Sequence, residues 1–151
     1  MAGQLNNHPI DSREFKYGEI YLVKDEEVHF PESKHTSSRT FHGKRMVCII
    51  HHCLSNLNKY IWTTNAAPFS TQLHMKRDTD LEVTPQPGNY INRTSLIRLG
   101  AAQPFLKIDL EGPVGQLTTE QLQELAYLQV ALAGIDLSDS DEEDEVADVV
   151  R

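Results

Sequence analysis

The sequence predicts a mainly β domain of the α+β class, a small, strongly bent sheet or barrel closed by one C-terminal helix. Three observations carry this. Short runs rich in β-branched and aromatic residues recur between clusters of Gly, Pro and Asn, the pattern of strands joined by turns. One segment, residues 118–133, has helical periodicity with a start and a stop signal. The strands come first and the helix last, the order of a bent sheet closed by a terminal helix.

In chain order, residues 1–15 read as a flexible lead-in, with Pro9 and Ser12 set against a long helix. The folded domain is expected over residues 16–135. Gly18 to Lys24 turns apolar and aromatic and reads as the first strand. Residues 25–42 form a long polar loop with Pro31 inside it, and long loops in small domains are usually functional or mobile. Arg45 to His52 is the second strand. Its nearly continuous apolar run (Val47, Cys48, Ile49, Ile50) predicts burial on both faces. Ser55, Asn56 and Asn58 mark a turn, and Lys59 to Thr64 is the third strand. Two strands joined by a short turn predict a hairpin, which sets Arg45 beside the Thr63–Thr64 end of its partner.

Residues 66–77 read as irregular around Pro68. Short strands follow at 81–84, 95–99 and 105–110, with a turn cluster at 85–89. In the helix, Thr118 and Gln121 make a capping-box pattern. Leu122, Leu125, Leu128 and Leu132 form an apolar stripe, and Gly134 stands at the stop.

A hydrophobic content of 39% and a charged content of 24% over 151 residues fit one soluble domain. No run approaches the length of a membrane span, and residues 1–11 are polar with no apolar core of a secretory signal. A cytoplasmic protein with no membrane partner is expected. Cys48 lies inside an apolar run and reads as a buried thiol. His51-His52-Cys53 has no metal-ligand spacing, because neighbours on a strand point to opposite faces. No metal or cofactor is expected.

The net charge of −8 is concentrated at one end. Residues 136–151 hold eight acids and one base, which predicts a disordered acidic tail. That tail is a solubilising end, an intramolecular phosphate mimic competing for a positive region, or a handle for a partner. Such a region exists. Residues 33–77 contain no Asp or Glu but seven Lys/Arg and five His, a window that suits a phosphate-bearing partner. Gly43-Lys44-Arg45 lies inside it and leads into the second strand. Arg45 is therefore a phosphate-binding group held on a rigid scaffold or a cation at a sheet edge.

Gly18-Glu19-Ile20, then Gly43-Lys44-Arg45, then Thr63-Thr64-Asn65, and last Gly115 to Leu122, resemble in order the MazF/PemK toxin family of type II toxin–antitoxin systems. The resemblance runs from about Tyr17 to Ile135. It implies an SH3-like, plasmid-maintenance-toxin barrel with one C-terminal helix, usually a homodimer. It implies an endoribonuclease that cleaves single-stranded RNA without metal and is neutralised by an antitoxin protein. The family's catalytic pair falls on Arg45 and Thr63. Lys44, His42, Thr64 and Asn65 stand beside them as substrate-binding candidates.

Metal-free cleavage is possible because the RNA supplies its own 2′-hydroxyl nucleophile. Arg45 suits stabilisation of the phosphorane oxygens, and Thr63 could hold a phosphate oxygen or the 2′-hydroxyl. His42 is better tuned for proton transfer. Met46 stands where the family has proline, and no glutamate occupies the loop before Arg45. These departures support an alternative, a catalytically weak barrel that binds nucleic acid or protein.

Overall fold

A computed structural model describes residues 10–35, 39–41 and 43–136. Seven strands form one antiparallel sheet: β1 Glu19–Lys24, β2 Lys44–Ile49, β3 Thr63–Ser70, β4 Asp80–Val83, β5 Ser95–Arg98, β6 Gln103–Leu106 and β7 Glu111–Gln116. A single turn, α1, spans Leu54–Leu57, and the C-terminal helix α2 spans Thr119–Leu132. The order across the sheet is β4-β5-β3-β2-β1-β7, with β6 also paired to β3. β4 and β7 end this path and are not paired with each other, so the sheet is open where a barrel would be closed. The acidic tail lies outside the described residues.

Both faces of the central strands are buried, as the unbroken apolar run of β2 requires. Cys48 joins Ile20, Ala67, Ile97 and Leu125 in one cluster. Val47 and Ile49 join Tyr21, Val23, Ala66 and Phe105 in the other. Phe15, 1% exposed, belongs to the second cluster, so the packed chain begins before residue 16. α2 covers the first cluster through Leu125, with Leu122 packed at its margin. The rest of the expected stripe does less, since Leu132 is exposed.

The third strand differs most from its sequence reading. Lys59 to Trp62 is turn and coil, and β3 runs instead from Thr63 through Pro68 to Ser70. Pro68 lacks an N–H and reads as a breaker, but here it costs little. β6 pairs with β3 only as far as Ala66, and β5 takes over from Phe69. Pro68 falls in the gap between these two partners, where a missing donor is tolerated.

This shift moves the predicted site. The β2–β3 register pairs Val47 with Pro68, Cys48 with Ala67 and Ile49 with Ala66. Continued two places, it sets Arg45 beside Ser70. Thr63 lies at the other end of β3, roughly 23 Å away at the usual rise per residue. The expected meeting of Arg45 and Thr63 does not occur, because the hairpin connection is longer than the sequence reading allowed.

Candidate functional site

The site begins at a glycine. Gly43 has φ of 85°, a conformation open to glycine at no steric cost, and its carbonyl accepts from the Asp25 amide at 2.7 Å. That bond closes the long loop and delivers Lys44 and Arg45 into β2, where Arg45 pairs with Val23 of β1. The Arg45 guanidinium is then fixed from two sides. Its Nε donates to Asp25 Oδ1 at 2.6 Å, and its Nη1 donates to the Phe69 carbonyl of β3 at 2.7 Å.

Asp25 is 1% exposed and also accepts from Arg39 Nη2 at 2.5 Å. Arg39 further donates to the Val28 carbonyl. The Phe30 ring lies under three guanidiniums, those of Arg39, Arg45 and Arg98, with centroid distances of 4.8, 5.2 and 5.8 Å. An aromatic face stabilises cations held in this way. One carboxylate thus serves both Arg39 and Arg45, and the cluster keeps an excess of positive charge.

Arg45 faces a cleft of about 410 Å³ that Lys44, Ser70, Thr71, Arg93 and Ser95 also line. Arg93 Nη2 donates to Thr71 Oγ1 at 2.9 Å, and Ser95 Oγ donates to the Arg93 carbonyl at 2.8 Å. Lys44 bridges to Glu111 at 2.8 Å with both side chains about half exposed, an exposed pair of small energetic weight. The cleft therefore joins three cations to a row of hydroxyls. A second cleft of about 420 Å³ is lined by Glu82, Glu120 and Glu124. Its carboxylates would repel a phosphate chain.

No family model matches the chain, and no curated protein does. Solved structures do match. The Mycobacterium tuberculosis toxin MazF-mt6 aligns with a TM-score of 0.56 at 18% identity, over 78% of this chain and 98% of that one. A second structure, described as an Mtb toxin, aligns with a TM-score of 0.47 at 23% identity, over 56% of this chain and 87% of that one. The chain has a MazF-like toxin fold.

Within this MazF-like fold, the residues singled out from sequence separate into two groups. Arg45 and Lys44 share the cationic cleft. Thr63, Thr64 and Asn65 line a different recess of about 120 Å³ with His51, Cys53 and Asn56. Thr64 is 4% exposed, and its hydroxyl donates to Asn56 Oδ1 at 2.7 Å, so it serves the packing of the 51–58 loop. Asn65 Nδ2 lies 3.4 Å from His51 Nε2. Cys53 is exposed, and a hydrogen bond from Ser55 holds its thiol below the usual range. His42 lies outside the described residues. Among the described residues, no group of three or more His, Cys, Asp or Glu side chains could hold a metal ion.

Sequence reasoning missed Ser70, Thr71, Arg93 and Asp25. Ser70 and Thr71 were hidden by the breaker reading of Pro68. Arg93 follows a turn cluster distant in sequence, and Asp25 is one acid in a polar loop, so neither carries a local signal of partnership with Arg45.

Proposed function

We propose that this chain is a toxin-like endoribonuclease that cleaves single-stranded RNA without a metal, with Arg45 at the reacting phosphate. The observation that carries this reading is the Arg45 guanidinium, held by Asp25 at 2.6 Å and by the Phe69 carbonyl at 2.7 Å on the wall of the cationic cleft. A group that stabilises developing charge works best when its position is fixed beforehand. The likeness to MazF-mt6 supports the same assignment.

In this reading the 2′-oxygen of the substrate attacks the adjacent phosphorus as the bond to the 5′-oxygen breaks. The products are a 2′,3′-cyclic phosphate and a 5′-hydroxyl, and the proton lost at one oxygen is matched by the proton gained at the other. Arg45 neutralises charge on the phosphorane oxygens. Ser70 and Thr71, beside it on β3 and just after it, take the hydrogen-bonding role that sequence assigned to Thr63. Lys44 and Arg93 hold the flanking phosphates. An antitoxin partner, a homodimeric state and a cytoplasmic place of action belong to this proposal. So does descent of the open, bent sheet from an SH3-like toxin barrel.

One observation favours a second reading, a module that binds RNA and leaves it intact. Among the described residues, no imidazole lines the cleft to move the proton. A single experiment separates the two. Purified protein, Arg45→Ala and Arg45→Lys are incubated with single-stranded RNA and excess chelator. The expected outcome is cleavage by the parent and a loss of about 100- to 1,000-fold in both variants. Undiminished cleavage by Arg45→Ala would overturn the assignment. RNA bound and left uncut by the parent would establish the second reading.

A further inference from the structure

The far end of β3 carries a different kind of surface. Between residues 54 and 62, Leu54, Leu57, Tyr60, Ile61 and Trp62 are 81%, 44%, 66%, 39% and 40% exposed. Five large apolar side chains turned outward in nine residues are a patch that marks an interaction site.

The backbone beneath this patch is pinned. Lys107 is itself fully buried, and its Nζ donates to the carbonyls of Ser55 at 2.5 Å and Asn58 at 3.1 Å. Asn56, 1% exposed, donates to the His51 carbonyl at 2.8 Å, and the Lys107 amide donates to the Trp62 carbonyl at 2.8 Å. A buried cation is costly to retain; this one anchors the start and middle of the exposed run, and its backbone amide anchors the Trp62 end. The loop is thereby built to present its apolar side chains.

Charge and chain direction point to the occupant. Lys59, His51 and His52 are exposed at this end of the sheet, within the window that has no acid. α2 ends here too, because Gln129 Nε2 donates to the carbonyl of Ile50, the residue before His51, at 3.0 Å. The last turn of α2 thus lies against Ile50, a few residues before the patch, and the described chain runs on from it only to Asp136. Residues 137–151 hold seven acids and one base, together with Leu137, Val146, Val149 and Val150. Fifteen residues reach up to roughly 50 Å when extended, well beyond what the patch requires.

We propose that residues 137–151 dock on the 54–62 surface of their own chain. The acidic run lies against Lys59, His51 and His52, and the apolar residues lie against Leu54, Tyr60 and Trp62. Trp62 is the one tryptophan in the sequence, so its emission reads the docking directly. The test compares the full-length protein with a full-length variant carrying Asp141→Asn, Glu142→Gln, Glu143→Gln, Asp144→Asn and Glu145→Gln. In the variant, Trp62 emission shifts to the red and its protection from acrylamide is lost. High salt does the same to the parent, and so does Lys59→Glu. Identical emission and quenching in parent and tail variant would overturn the proposal. So would protection that rises with protein concentration, which assigns the patch to a second copy, or protection that appears only when single-stranded RNA is added.

Discussion

Asp25 holds Arg39 and Arg45 with one carboxylate at 2.5 and 2.6 Å while almost fully excluded from water. The pairing fixes the cleft arginine, and it also leaves the carboxylate no cheap substitute. Asp25→Asn keeps the shape but leaves two guanidiniums without their anion. It is expected to cost about 3 kcal/mol of stability, measured by urea denaturation, and to reduce RNA cleavage by releasing Arg45. Arg45 was legible in the sequence because two cations stand directly before a buried apolar run. Its partner was not, because a carboxylate twenty residues away in a polar loop looks like any solvated acid until the Gly43 turn brings it home.

At the scale of elements, α2 is held at both ends by polar side chains. At its start, Gln121 completes the capping box with Thr118, and its side-chain amide reaches the Thr84 carbonyl at 3.0 Å and Asn89 at 3.2 Å. Gln121→Ala removes the side-chain half of the capping box and the tie to the β4 end together, leaving the Thr118 cap in place, an expected loss of about 1–2 kcal/mol seen in the thermal midpoint. At its end, the Tyr17 hydroxyl donates to Gln129. Burial pushes the Tyr17 phenol up to about 12 from 10.0. The unfolded chain then loses this proton first, so stability from Tyr17 is complete below pH 10 and is lost as pH rises from 10 through about 12. Urea midpoints taken over that interval should fall, and Tyr17→Phe should flatten part of the decline. The part that remains belongs to Tyr21 and Cys48, whose phenol and thiol burial raises further still. The helix was readable because capping and periodicity are local. β3 was not, because tolerance of Pro68 depends on two other strands, β5 and β6, that the local sequence does not mention.

Across the whole molecule, β3 spans the distance between the two proposed sites. Its Ser70 end meets Arg45, and its Thr63 end meets the apolar patch and the recess around His51. The two threonine and serine variants therefore separate cleanly. Ser70→Ala is expected to lower RNA cleavage about tenfold, the loss of one hydrogen bond, while Thr63→Ala leaves cleavage at the parental rate. The opposite result in a cleavage assay would restore the family-derived pairing. The fold class was legible because strand runs, turn clusters and a capped helix are each visible over a few residues. The site was legible only in its β2 half, since register across β3 is a tertiary fact.

β3 also exchanges hydrogen bonds with β2, β5 and β6, partners that range from residue 44 to residue 106. During synthesis from the N-terminus, the Asp25–Arg45 hairpin can form early, but the Ser70 wall stays unsupported until β5 emerges. A nascent chain halted before residue 98 would thus carry the arginine without its cleft. The wiring of one strand delays completion of the cleft until β5, which ends at Arg98, has left the ribosome.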